Sequence, residues 1–109
     1  MALDETAFEQ IAKETLENFM DSIDEKLGDY LDVDLNSGIL TIELDDGGQY
    51  IINKHGSSKQ IWMSSPKSGA THYNYDEESS AWVSTKGEGA LKEMLETELS
   101  KATGETFAL

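Results

Sequence analysis

Three consecutive runs of period-two alternation constrain this chain more than any other feature. Ile39–Leu44, Gln49–Lys54 and Lys59–Ser64 each alternate as the two faces of a β-strand do. The links between them are Asp45-Asp46-Gly47-Gly48 and a segment built on Gly56-Ser57-Ser58, which have the size and composition of turns. A parallel crossover needs a dozen or more residues, so the runs pair as an antiparallel meander. The two faces of that meander differ in chemistry. Leu40, Ile42, Leu44, Tyr50, Ile52, Ile61 and Met63 fall on one side as a core, and the other side carries Asn53, His55, Gln60 and Trp62. A Trp among amides on a solvent face has the profile of an interface anchor. The bland alternative is a lone surface aromatic or a small satellite cluster. With Trp62 on the open face, truncating it to Ala is expected to cost about 1 kcal/mol or less.

The remaining segments complete a sandwich. Tyr30–Leu35 alternates as a first strand and is followed by the turn Asn36-Ser37-Gly38. Pro66-Lys67-Ser68-Gly69 is a further turn, and Thr71–Tyr75 reads as a fifth strand with His72 and Asn74 on the open side. Ala81–Ser84 is a short sixth strand whose Trp82 is assigned to the core. Apolar residues at helical spacing predict a first helix over Leu3–Leu27 and a second over Glu88–Ala102, stopped by Gly28 and Gly104. The apolar tail residues Phe107 and Leu109 leave its course open. The fold class expected is α+β: residues 1–109 as one two-layer α-β sandwich, order α-β-β-β-β-β-β-α. Both helices pack on one face of an antiparallel sheet of five to six strands, and the other face stays open.

Charge narrows the function. Twenty-two acids against eight bases leave a formal net charge of −14, which argues against nucleic acid and anionic membranes and for cations or basic proteins. On the first helix Glu14, Glu17, Asp21, Asp24 and Glu25 fall within an arc of about 100° opposite the apolar stripe. Like charges at these spacings repel by a few tenths of a kcal/mol per pair, and only Lys13 and Lys26 offset them. Asp32 and Asp34 share one side of the first strand and, if that strand is the edge next to the helix, extend the patch into one ridge. An ordinary solvated face and a device against edge-to-edge aggregation are the competing explanations. As ligands, such carboxylates suit hard or borderline cations, held weakly at several sites and completed by water.

Several classes drop out. There is no cysteine, so disulfides, thiolate catalysis and Cys-based metal ligation are excluded. No nucleophile elbow, phosphate-cradling Gly loop or metalloprotease helix motif occurs, and no enzyme activity is expected. No run reaches membrane-spanning length, and neither a signal-peptide core nor an Arg-rich presequence opens the chain. A soluble intracellular protein, or the mature form of an imported one, is expected. A low-affinity divalent-cation buffer and an electrostatic adaptor for a basic protein both fit these observations.

The run Ile52-Asn53-Lys54, followed by Lys59-Gln60-Ile61-Trp62, Ser64-Ser65-Pro66 and Ser68-Gly69, closely resembles the frataxin family, and the likeness extends over nearly the whole chain. The resemblance implies an iron-binding accessory protein of iron–sulfur cluster assembly. It implies weakly bound iron (Fe²⁺ or Fe³⁺) on an acidic ridge matched by Glu17, Asp21, Asp24, Glu25, Asp32 and Asp34, with other divalent cations as alternatives. It implies cysteine desulfurase and the cluster scaffold as partners, ferrochelatase as a further candidate, and a monomer with metal-dependent oligomers. The partner surface matches Asn53, Lys54, Gln60 and Trp62, with His55 and His72 beside it. A weak ferroxidase activity is associated with the family. Its location would be the mitochondrial matrix in a eukaryote and the cytoplasm in a bacterium. Two positions depart from the pattern: His55 stands where Gln is usual, and His72 where many members carry Arg. A neutral imidazole cannot make the permanently charged, bidentate contact of a guanidinium. Gly56-Ser57-Ser58 also replaces a loop that usually contains Pro.

Overall fold

The computed structural model describes residues 4–87 and 89–109. Helix α1 spans Glu5–Leu27 and is capped by Asp4, whose Oδ1 accepts the Ala7 N–H at 2.7 Å. Leu3, the expected first residue, lies outside the described residues. The helix buries Phe8, Ala12, Leu16, Ile23 and Leu27, the stripe that its periodicity predicts. Gly28 ends it, but in a right-handed conformation at φ −58°.

Six strands follow: β1 (Leu31–Asn36), β2 (Ile39–Leu44), β3 (Gln49–His55), β4 (Gln60–Ser65), β5 (Gly69–Asp76) and β6 (Ala81–Ser84). They form one sheet in chain order, each neighbour antiparallel. The β1 strand starts one residue later than expected because Tyr30 donates its N–H to the Leu27 carbonyl and belongs to the turn. The β5 strand starts two residues earlier, since Gly69 still pairs with Ser65.

Helix α2 covers Leu91–Thr103 and is closed by Gly104 in the left-handed region, at φ 77°, where Gly lacks the Cβ clash. Glu88, its expected start, lies outside the described residues; Ala90, the N-cap position, bridges to Val83. Leu91, Leu95 and Leu99 face the sheet. Between helices and sheet lies one core, containing Leu40, Ile42, Tyr50, Ile52, Ile61, Met63 and Tyr73. Trp82 belongs to it, 5% exposed, with its indole N–H donated to Thr15 Oγ1 at 3.0 Å and its ring edge-on to Phe8.

The tail folds back on the helix layer. Phe107 is buried and donates its N–H to Ser100 Oγ at 3.0 Å, Lys26 Nζ donates to the Ala108 carbonyl at 2.6 Å, and the Leu109 N–H reaches Glu96 Oε2 at 2.8 Å. With both helices and the tail on one side, the opposite sheet face has no covering layer among the described residues.

Candidate functional site

The sheet register assembles the open face. Ile39, Asn53, Trp62 and His72 stand opposite one another in a row across β2–β5, and His55, Gln60 and Asn74 form the next row. Trp62 is half-buried there, sandwiched between two imidazoles. Its ring lies 3.8 Å from that of His55 at an interplanar angle of 8°, and 4.2 Å from that of His72 at 19°. The indole N–H donates to Gln60 Oε1 at 2.8 Å, and Gln60 Nε2 donates to Asn74 Oδ1 at 3.0 Å. His55 Nδ1 meets Ser58 Oγ at 2.7 Å. Trp62 is therefore a braced ring and not a free surface aromatic. Ile39 and Ile51, 44% and 40% exposed, are on the same face. The rows from Ile39 to His72 and from His55 to Asn74 hold no Asp, Glu, Lys or Arg. In a chain of net charge −14, that makes the centre of this face chemically distinct.

Lys54 is not part of that face. Alternation turns it toward the helices, where it pairs with Glu9 of α1. It lines a hollow of about 320 Å³ with Lys13, Leu16, Glu17, Leu35, Ser37 and Gly38. The adjacency of Asn53 and Lys54 in the sequence conceals this, because neighbours on a strand point to opposite faces.

The carboxylates form two sets. Glu14, Glu17, Asp21, Asp24 and Glu25 are exposed on α1. Asp32 and Asp34 are exposed on β1, which is the sheet edge beside α1, as expected. Their side chains alternate with Leu31, Val33 and Leu35, so they project on the side away from the helix layer, Asp32 opposite Glu43. The two sets thus flank the β1 edge. Among the described residues, neither ion pair involves any of the seven, and no three acidic or histidine side chains close into a metal cage. The donor chemistry is nonetheless that of hard and borderline cations.

One polar centre was not anticipated from the sequence. The Glu98 carboxylate of α2 accepts from three hydroxyls: Tyr50 at 2.9 Å, Ser65 at 2.6 Å and Ser68 at 2.7 Å. Ser65 Oγ in turn accepts the N–H groups of Lys67 and Ser68 at 3.0 and 3.1 Å, which fixes the β4–β5 turn. Burial, reinforced by the Glu98 hydrogen bond and charge, pushes the Tyr50 hydroxyl well above the ordinary tyrosine range. A polar residue on the helix face turned to the sheet is the one sequence signal that could have pointed to Glu98.

The family model for a frataxin-like domain matches residues 1–105. The iron–sulfur cluster assembly protein CyaY of Thioalkalivibrio sulfidiphilus is 38% identical over 105 residues, covering 94% of this chain and 96% of that protein. A frataxin from Psychromonas ingrahamii superposes with a TM-score of 0.86 over 97% of both chains at 24% identity, a likeness of fold. Trimeric frataxin from Saccharomyces cerevisiae, complexed with ferrous iron, superposes with a TM-score of 0.78 at 32% identity, covering 96% of this chain and 90% of that one.

Proposed function

The chain belongs to the frataxin-like family, and we propose that it is an iron-binding accessory protein of iron–sulfur cluster assembly that docks on the cysteine desulfurase–scaffold complex. The observation that carries this reading is the uncharged strip around Trp62, set in a strongly acidic chain. Carboxylates of α1 and β1 steer a basic partner and speed encounter. Trp62, held flat by His55 and His72 and anchored through Gln60, presents a pre-ordered aromatic to that partner's surface. Ferrous or ferric iron is carried by Glu17, Asp21, Asp24, Glu25, Asp32 and Asp34, whose oxygens replace part of its water shell. The chain acts by docking, and no reaction step is assigned to its own side chains.

A second reading, an electrostatic adaptor with incidental metal binding, draws on the absence of a closed cage among the described residues. One experiment separates the two. Glu17, Asp21, Asp24 and Glu25 are replaced by Lys, and the variant is tested for capture of desulfurase plus scaffold and, separately, for Fe²⁺ binding. The proposal expects both to be lost, with Fe²⁺ raising capture by the wild type. Capture that is lost while Fe²⁺ binding persists or never occurs leaves the adaptor, and capture unaffected by the charge swap refutes both.

A further inference from the structure

Resting on the docking role just proposed for the sheet face, we infer that the His55–Trp62–His72 stack gates that docking by protonation: the face admits a partner with both imidazoles neutral and rejects it with both charged. Imidazole is the side chain whose charge ordinarily changes between pH 5 and 8. Here two of them lie flat on opposite faces of one indole, with ring centroids 3.8 and 4.2 Å away.

Protonation opposes docking in two ways. In the complex, an imidazolium has to lose its water beneath a partner, and an unpaired buried charge is costly. A basic partner, which the −14 chain selects, is also repelled by the two positive charges added to the otherwise uncharged rows that it covers.

The surroundings do not neutralise the added charge. Against His55 stand Trp62 and Gln60 of β4 and the Ser58 hydroxyl; Lys54 and Lys59 are the cations flanking it in the chain, Lys54 on the opposite face. His72 meets Trp62 on one side and on the other shares a hollow with Ser84, Thr85 and Lys86. Asp76, two positions past Asn74 on the same face of β5, is the acid on that strand. Among the described residues no carboxylate lies within ion-pair distance of either ring. If docking requires both protons to leave, affinity falls by up to about 100-fold per pH unit once both rings are charged in the free chain.

The test has two arms. In the isolated protein, the Trp62 indole N–H resonance is followed by NMR from pH 8 to 5 together with the two imidazoles. It is expected to move in step with both, and to stay still in the His55→Gln/His72→Gln double variant. A Trp62 resonance indifferent to imidazole titration overturns the inference. In the second arm, the dissociation constant for the desulfurase–scaffold complex is measured at pH 8 and pH 6. The wild type is expected to weaken at least tenfold and the double variant less than about threefold. Equal weakening of both proteins refutes the gate alone. Absence of binding by the wild type at pH 8 refutes the docking role, and the gate with it.

Discussion

Replacing Glu98 with Ala removes the acceptor for three hydroxyls at once, and the structure says which loss dominates. Ser68 is exposed and finds water. The dominant loss is at the buried pair: Ser65 still accepts the two turn N–H groups, but its hydroxyl and that of the fully buried Tyr50 both lose the carboxylate to which they donate. Stranding a buried donor costs about 1–3 kcal/mol, and a hydrogen bond to a charged group contributes about 1.5–3 kcal/mol. These overlap, so Glu98→Ala should destabilise by about 3 kcal/mol, or roughly 12 °C in Tm for a domain of this size. Glu98→Gln keeps one acceptor oxygen and should cost about 1 kcal/mol. Urea unfolding followed by far-UV circular dichroism measures both. A double-mutant cycle with Tyr50→Phe should give a coupling of at least about 1 kcal/mol. A Glu98→Ala change within about 0.5 kcal/mol of wild type, or a cycle that is simply additive, would refute the assignment of this carboxylate as the tie between α2 and the sheet.

Truncation should separate the two tryptophans: Trp82→Ala is expected to cost about 3–5 kcal/mol by urea unfolding. Trp62→Ala should cost about 1–3 kcal/mol, since two ring stacks worth about 0.5–1.5 kcal/mol each are lost. Equal costs would contradict their placement. Stability should fall in alkali through Tyr50, whose folded-state pKa is raised. The unfolded chain releases that proton near pH 10, so the contribution is complete below about pH 10 and is lost as the pH climbs above it. Tyr50→Phe should flatten the urea-midpoint profile over that range, and an unchanged slope would place the titration elsewhere. Tm should rise with NaCl and rise further with millimolar Mn²⁺ or Fe²⁺ at fixed ionic strength, as crowded carboxylates are screened and then ligated. NMR perturbations should fall on Glu17, Asp21, Asp24, Glu25, Asp32 and Asp34, and perturbations confined to His55 and His72 would remove the carboxylates from the metal site.

Backbone periodicity is local information, and it made most of this fold legible. The bounds of β2 and β6 follow directly from it, as do the buried stripe of α1 and the assignment of Trp82 to the core. Alternation also put His55, Gln60, Trp62 and His72 on one face, because each reading needs only the parity of a strand. What parity could not supply was the third dimension. That Trp62 is clasped by the two imidazoles depends on the β3–β4 and β4–β5 registers, and the costlier truncation expected for Trp62 follows from it. The same parity, applied to Lys54, turns it toward Glu9 and away from the face that family likeness implied. Glu98 was hidden for another reason. Its partners lie 30 to 48 residues away, and nothing in a helix pattern says which polar residue will be met by buried hydroxyls.

The docking role of the sheet face is tested most directly by measuring the affinity of Trp62→Ala for the desulfurase–scaffold complex at pH 8 by titration calorimetry. Circular dichroism under the same conditions establishes that the variant is folded. Loss of a braced aromatic anchor at the centre of an interface should weaken binding by at least about 2 kcal/mol, roughly 30-fold in Kd. A folded Trp62→Ala variant that binds as tightly as the wild type would contradict the account.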